Sequence, residues 1–293
     1  MIRRIMSLLA IVLLMGVFPV YGQQQKPQPP QYRQEPVPVS VHEISKHVYE
    51  VRGGAGANCA FIVGDKEVYV IDAKMTDQSA KDMIKAIKET TDKPISHLLI
   101  THSDGDHVNG IPGFPEDIQI IAHDHSAEHM RKANETGPVK IPLPNETFFN
   151  RMNMYNGSLK ISLFYFGPAH TDGDIVIYVP EDNVAILGDL FFKDRDPLIH
   201  MHKNGSSEGF VKVLQAIGDL NADLYLSGHT EPVKKTEIEN LRKALIEKQE
   251  KVMAMIKDGK SLDQIKEAFG IPLGESRWRS LAEVIYLELT KDT

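Results

Sequence analysis

Four side chains that commonly bind divalent metal ions lie within one six-residue segment, His102-Ser-Asp104-Gly-Asp106-His107. Imidazole nitrogens and carboxylate oxygens are donors that zinc accepts. The segment directly follows an apolar run at residues 95–100, which predicts a buried strand. A polar, solvated loop has a similar composition, so this segment alone does not decide between a metal site and an ordinary loop.

Three further candidate ligands lie at the boundaries of apolar runs, namely His170, Asp189 and His229. Each neighbouring run is short and rich in β-branched or other apolar residues, which predicts a strand. A single histidine or aspartate at a strand end is more often a cap or a turn residue than a ligand. Because strand ends are where open sheets present functional groups, the four segments together predict one metal site.

The elements that must position these residues are strands with helices interspersed in both halves of the chain. Strands are predicted at 48–52, 60–63, 68–71, 95–100, 118–122, 159–166, 175–179, 184–187 and 224–226. Helices are predicted around 80–87, 125–133, 210–217, 233–256, 262–269 and 280–289. The pattern is typical of an α/β (α+β) protein.

The order of the motifs resembles the signature of the metallo-β-lactamase superfamily. THSDGDH resembles the family motif THxHxDH, and GPAHT, GD and GH follow it in the family's order. The resemblance covers about residues 45–232. It implies a four-layered αβ/βα sandwich with metals at one edge of the sheets, followed here by a C-terminal helical extension.

The resemblance also implies two divalent metal ions, with zinc as the expected metal. It assigns to the first ion the ligands His102, Asp104 and His170. It assigns to the second ion the ligands Asp106, His107 and His229. Asp189 would bridge the two ions. Asp106 is the expected catalytic residue, which would orient the attacking water and move a proton. Cysteine at the bridging position and arginine after the motif aspartate mark the best-known β-lactamase subclass, and this chain has neither.

Asp104 departs from the family signature, which has a histidine at this position. A carboxylate adds negative charge and a harder oxygen donor, which favours iron or manganese over zinc at the first ion. Two interpretations stay open: Asp104 is a ligand and both positions fill, or only the second position binds a metal.

The implied activity is hydrolysis of a small-molecule lactam, lactone, thioester or other ester by a metal-activated water, with β-lactamase activity included. His200 and His202 follow Asp189 in the chain and are expected to border the substrate. One alternative is a mononuclear iron oxidoreductase of the same fold that acts on thiols or persulfides. The other is a binding protein that keeps the fold without turnover.

Composition and the N-terminus bear on partners and location. The 33 Lys and Arg residues against 40 Asp and Glu give a net charge of −7, with no basic stripe, so nucleic acid is not an expected partner. Two arginines, an apolar run and small residues predict a signal peptide at 1–22, and hence a periplasmic or secreted protein without a stable membrane span. A Gln/Pro-rich linker is predicted at 23–40.

The remaining chain divides into a metallo-β-lactamase-like domain at 41–232 and the helical extension at 233–293. Apolar residues at helical spacing in the extension predict packing onto the domain or a homodimer contact. Cys59 is the only cysteine, and its apolar neighbours predict a buried strand position.

Overall fold

Two β-sheets form the centre of the fold. The computed structural model describes residues 37–274 and 276–291. The predicted signal peptide and residues 23–36 of the predicted linker lie outside the described residues. Within the described residues, no helix combines the length and the apolar character that a bilayer crossing requires.

The first sheet contains seven strands in the order in which they occur in the chain. They are β1 Ser40–Glu43, β2 Val48–Arg52, β3 Cys59–Val63, β4 Val68–Ile71, β5 Ile95–Leu99, β6 Gln119–His123 and β7 Glu146–Phe148. The strands from β1 to β4 pair antiparallel, and those from β4 to β7 pair parallel. The carboxyl ends of β4 and β5 therefore lie at the same edge.

The second sheet contains six strands in the order β13-β12-β11-β10-β9-β8. In chain order they are β8 Arg151–Asn156, β9 Leu159–Phe164, β10 Val176–Val179, β11 Val184–Ile186, β12 Leu224–Ser227 and β13 Thr230–Val233. Only β11 and β12 pair parallel, whereas the other pairs are antiparallel. The parallel pair brings the segments after these two strands to one edge of this sheet as well.

Helices cover the outer faces of both sheets, apart from the one-turn helix α2, which lies in the segment after β5. They are α1 Asp77–Thr90, α2 Gly105–Val108, α3 Asp124–Thr136, α4 Ser207–Asp219, α5 Lys235–Lys257, α6 Leu262–Ala268 and α7 Leu281–Leu289. Thr76 caps α1, its side chain accepting from the Ser79 amide, as its position before the apolar periodicity suggests.

Three apolar clusters hold the layers together. Ile71 and Leu99 of the first sheet pack with Leu163 and Ile177 of the second, which buries one face of each sheet against the other. A second cluster lies between the first sheet and helices α1 and α3. The third lies between the second sheet and helices α4 to α7. The predicted four-layered αβ/βα sandwich is confirmed.

Helices α5 and α7 pack against α4, and α6 packs against α7. Leu245 of α5, Ile265 of α6 and Ile285 of α7 are buried in the same cluster as Phe210 of α4. Their apolar faces are thus used within the chain, and the homodimer contact stays a prediction. Cys59 is buried in β3, as its neighbours predict.

Candidate metal centre

The candidate ligands lie at the edge where the carboxyl ends of strands from both sheets meet. His102 follows β5 in the first sheet, while Asp189 and His229 follow β11 and β12 in the second. His170 lies in the connection between β9 and β10. The last three residues of the sequence motif form, together with Val108, the one-turn helix α2, so the motif is not simply the irregular loop that its composition suggests.

All seven candidate ligands belong to clusters whose donor atoms lie within 4.8 Å of one another. The three clusters are His102, His107 and Asp189; His102, Asp104 and His170; and Asp106, His107 and His229. The second and third clusters have the same members as the two ligand sets implied by the family resemblance. The first cluster places Asp189 between them, where a bridging ligand would lie.

Three buried atoms at the middle of the centre have no hydrogen-bond partner: Nε2 of His102, Nε2 of His107 and Oδ1 of Asp189. The His107 nitrogen and the Asp189 oxygen lie 3.1 Å apart without hydrogen-bond geometry. A buried polar atom without a partner is costly in a folded protein. Because these atoms converge and are donors that zinc or iron accepts, the arrangement fits a metal site.

Hydrogen bonds from neighbouring residues orient the histidine rings. The Nδ1 atom of His107 lies 2.7 Å from Asp72, which also accepts from the backbone N–H and the hydroxyl of Thr101. The Nδ1 atom of His170 lies 2.8 Å from the Leu198 carbonyl, to which it donates. In both rings the other nitrogen, Nε2, therefore faces the centre, where its lone pair can bind a metal ion or a proton.

The pKa values of the histidines reflect closely opposed charges. Burial lowers the pKa of His102 well below its usual value, which keeps this ring neutral. Burial opposes protonation of His170, but hydrogen bonding and charge from Asp104 raise its pKa to about 9. Burial likewise opposes protonation of His229, but Asp106 and Asp189 raise its pKa to about 9. In the metal-free centre, the protons on these two rings balance the charge of the carboxylates, as metal cations would. Metal binding would therefore release these protons.

Close packing at Gly228 keeps the donor atoms together. A Cβ atom at this position would lie 2.7 Å from Oδ1 of Asp189 and 2.8 Å from Cε1 of His107. These separations are shorter than van der Waals contact. Only glycine lets the turn after β12 approach the centre, which explains the GH pair that ends at His229.

Asp104 is held by two basic residues besides the candidate ligand His170. Its Oδ2 atom lies 3.1 Å from Nε2 of His170 and 2.8 Å from Nε2 of His200, while its Oδ1 atom accepts from Lys203 at 2.6 Å. Burial alone would raise the pKa of Asp104, but these imidazole hydrogen bonds hold it well below its usual range. The carboxylate that replaces the family histidine is thus compensated by a lysine.

Lys203 was not identified from the sequence. Its ammonium group also donates to the carbonyl and to the hydroxyl of Ser103, so all three N–H bonds are used. A lysine at the end of a three-residue 3₁₀ helix, about one hundred positions from its partner, gives no local signal. Only the departure of Asp104 from the family motif could have prompted a search for a compensating cation.

A cavity of about 520 Å³ opens above the centre. His200 and His202, the predicted substrate-bordering residues, line it together with Asp106 and His229. His200 is buried and contacts Asp104, whereas His202 is exposed. Trp278 from the segment between α6 and α7 also lines the cavity. The C-terminal extension therefore contributes to the site as well as to packing, which its apolar pattern did not indicate.

Comparisons with known proteins agree with this geometry. The sequence model of the metallo-β-lactamase superfamily matches residues 52–229. The chain belongs to this superfamily. Its members are mostly hydrolases, and its fold and donor set support metal binding here.

Individual relatives are distant. The chain is 24% identical over 212 residues to 2,4-dinitroanisole O-demethylase subunit alpha from Nocardioides sp. (strain JS1661), a match covering 72% of this chain and 63% of that protein. It is 25% identical over 206 residues to metallo-beta-lactamase type 2 from Bacillus cereus, covering 66% of this chain and 77% of the relative.

A solved metallo-beta-lactamase from Pontibacter korlensis superposes with a TM-score of 0.62 at 15% identity, over 71% of this chain and 98% of the other. This likeness concerns the fold. The substrate has to be argued from this chain's own residues.

Proposed function

We propose that the protein is an exported, metal-dependent hydrolase of a small lactam, lactone, thioester or other ester, with two divalent ions, zinc being the expected metal. The observation that carries the proposal is the convergence of three unpartnered buried donor atoms, on His102, His107 and Asp189, between two further ligand clusters. Bound there, divalent ions would supply an activated water and a Lewis acid for a substrate oxygen.

The chain's own residues have distinct roles in this proposal. Asp106 is about one quarter exposed and lines the cavity, so its carboxylate can meet both a water and a substrate. His229 lies 3.3 Å away and holds that carboxylate in place. Asp106 is therefore the residue that orients the nucleophile and carries a proton.

Elemental analysis of the chain from Gln23 onward, purified without chelators, is the first test. About two zinc ions per chain, with hydrolysis of a chromogenic cephalosporin, 4-nitrophenyl acetate or a lactone, is the expected result. A single iron with oxygen consumption would favour the oxidoreductase alternative, which Asp104 makes chemically reasonable. No bound metal after reconstitution would contradict the proposal.

A substitution tests the role of Asp106. Asp106→Asn should lower kcat by about 100-fold or more while leaving most of the metal in place, since an amide cannot accept the proton. Asp82→Asn on the exposed surface of α1 is the matched control and should leave kcat unchanged. Unchanged hydrolysis in Asp106→Asn would remove this residue from the mechanism.

The exported location is also a proposal, supported by the apolar segment at 5–20 behind two arginines. Cell fractionation with N-terminal sequencing of the mature protein tests it. A mature protein beginning at Gln23 outside the cytoplasm is expected, and an intact cytoplasmic chain would contradict it.

A further inference from the structure

Two arginines that line the cavity have no ion-pair partner among the residues that the structure describes. Arg195 and Arg277 both line the cavity that contains the candidate ligands. Within the described part of the chain, neither guanidinium group takes part in an ion pair or a hydrogen bond. Their donors are therefore available to a ligand.

Aromatic rings tie each arginine to the metal centre. The guanidinium carbon of Arg195 lies 4.2 Å from the ring centroid of Phe192, and that ring stacks on His229 at 5.5 Å. The guanidinium carbon of Arg277 lies 4.8 Å from the ring centroid of Trp278, and that ring lies 5.0 Å from His200. Stacking on a ring restricts a long side chain while leaving its N–H groups free.

Apart from the candidate metal ligands, the charged residues described around the cavity are all positive. Among the described residues that line this cavity, the acids are Asp104, Asp106 and Asp189, all candidate ligands. Three carboxylates do not neutralise two divalent ions. An adjoining cavity of about 470 Å³ shares Trp278 and is lined by further basic residues and by no described acid. A cleft lined by positive charge concentrates anions.

We propose that this cavity binds small esters that carry an oxyanionic group, and that Arg195 and Arg277 bind this group while Trp278 packs against the rest of the substrate. The proposal rests on the hydrolase function proposed above and names its substrate class. A guanidinium fork binds carboxylate, sulfate and phosphate groups with two parallel hydrogen bonds, so the three share the recognition chemistry. Lys203 is not part of this recognition, because its three N–H bonds are already used.

Matched substrates test the proposal through kinetics. Mono-4-nitrophenyl glutarate and 4-nitrophenyl pentanoate have the same leaving group, and their acyl chains end in a carboxylate and in a methyl group. We expect kcat/KM to be at least about tenfold higher for the glutarate ester. Arg195→Ala and Arg277→Ala should each remove most of this preference by lowering kcat/KM for the glutarate ester more than for the neutral ester. Arg195→Lys and Arg277→Lys, which keep the charge but not the fork, should be intermediate.

Arg151→Ala is the control variant. Arg151 also lies over an aromatic ring, at 4.7 Å from the centroid of Phe164, but it does not line either cavity. It should leave the ratio of the two kcat/KM values unchanged. Equal kcat/KM values for the two esters, or a preference that survives both arginine-to-alanine substitutions, would overturn the proposal.

A binding measurement separates this proposal from the proposed function. Trp278 is the only tryptophan of the chain, so its fluorescence reports directly on the cavity. Glutarate, methyl sulfate and methyl phosphate should each change the emission saturably, and the tightest identifies the preferred oxyanion, whereas glutaramide should not. Each arginine-to-alanine variant should weaken binding about tenfold while its metal content stays normal.

The two failures give different results. Arginine-dependent glutarate binding without hydrolysis of either ester would refute the hydrolase function and leave the anion site in place. Hydrolysis together with glutarate binding that does not depend on either arginine would refute the anion site and keep the hydrolase function.

Discussion

Asp104 and Asp106 lie on either side of Gly105, yet their carboxylates have different surroundings. Asp104 accepts from two histidines and a lysine, and 14% of its side chain is exposed. Asp106 lies 3.3 Å from His229, has no lysine beside it in the described part of the chain, and has 24% of its side chain exposed. The first half of the centre is thus closed and compensated for charge, whereas the second half is open to the cavity.

This difference indicates that the two carboxylates have different functions. A carboxylate whose oxygens are all engaged can hold a metal but has little freedom to exchange protons with a substrate. Asp106 is partly exposed and its histidine partners lie farther away, His229 at 3.3 Å and His107 at 3.9 Å, so it has that freedom. The replacement of a family histidine by Asp104 is therefore tolerable in the closed half, where Lys203 neutralises the added charge.

The largest effect is expected where the two halves meet. Asp189 contributes to the central cluster, and its carboxylate lies within 4 Å of His102, His107 and His229. Asp189→Ala should reduce kcat/KM by more than about 100-fold and lower the metal content below that of the parent. Unchanged metal content by elemental analysis would show that the halves bind their ions independently.

A double-mutant cycle tests the closed half. Lys203→Met leaves the buried Asp104 carboxylate with imidazole partners alone and should lower the free energy of unfolding of the metal-free protein by about 2 kcal/mol. Combined with Asp104→Asn it should cost much less than the sum of the two single changes. Urea denaturation of the three variants measures the coupling.

A second double-mutant cycle measures the coupling energy in the open half. Asp106→Asn and His229→Asn should couple by less than about 1 kcal/mol, because both side chains are partly solvated. Equal coupling energies in the two halves would contradict the proposed difference between them.

The stability of the metal-free protein should depend on pH through one histidine in each half of the centre. The folded pKa of about 9 at His170 and at His229 lies above the ordinary histidine value of about 6.5. The stability gained from protonation is fully present below about pH 6.5 and is lost as the pH rises through about 9. After removal of metal with a chelator, the urea midpoint should therefore fall across this window.

Substitutions assign that fall to each half. His170→Asn should remove more of the pH dependence than His229→Asn, because His170 is buried whereas 30% of the His229 side chain is exposed. A midpoint that rises between pH 6.5 and 9 would contradict the assignment.

The smallest effect is expected at His202. Its ring lies 5.0 Å from that of His200, but it is exposed and does not contact a candidate ligand within hydrogen-bond distance. His202→Ala should change kcat/KM by less than about threefold, as surface changes usually do. A loss above tenfold, with normal metal content, would establish His202 as a substrate-binding residue.

The interior strands and the edge strands differ in how well the sequence predicts them. Every predicted strand occurs in the structure, with bounds that shift by at most two residues. The four strands not predicted, β1, β7, β8 and β13, are the outermost strands of the two sheets. An edge strand has one neighbour and is less buried, as the largely exposed β8 shows, so its apolar pattern is weaker.

The sequence by itself determined the class of protein, because seven candidate ligands stand in a fixed order at the ends of apolar strands. It also identified Asp104 as the departure from the family pattern. Only the tertiary structure brought Lys203 to that carboxylate, and Arg277 and Trp278 to the cavity. These contacts join residues about 50 to 200 positions apart in the chain. Periodicity and motifs report local order, whereas such contacts depend on how the two sheets and the C-terminal helices pack.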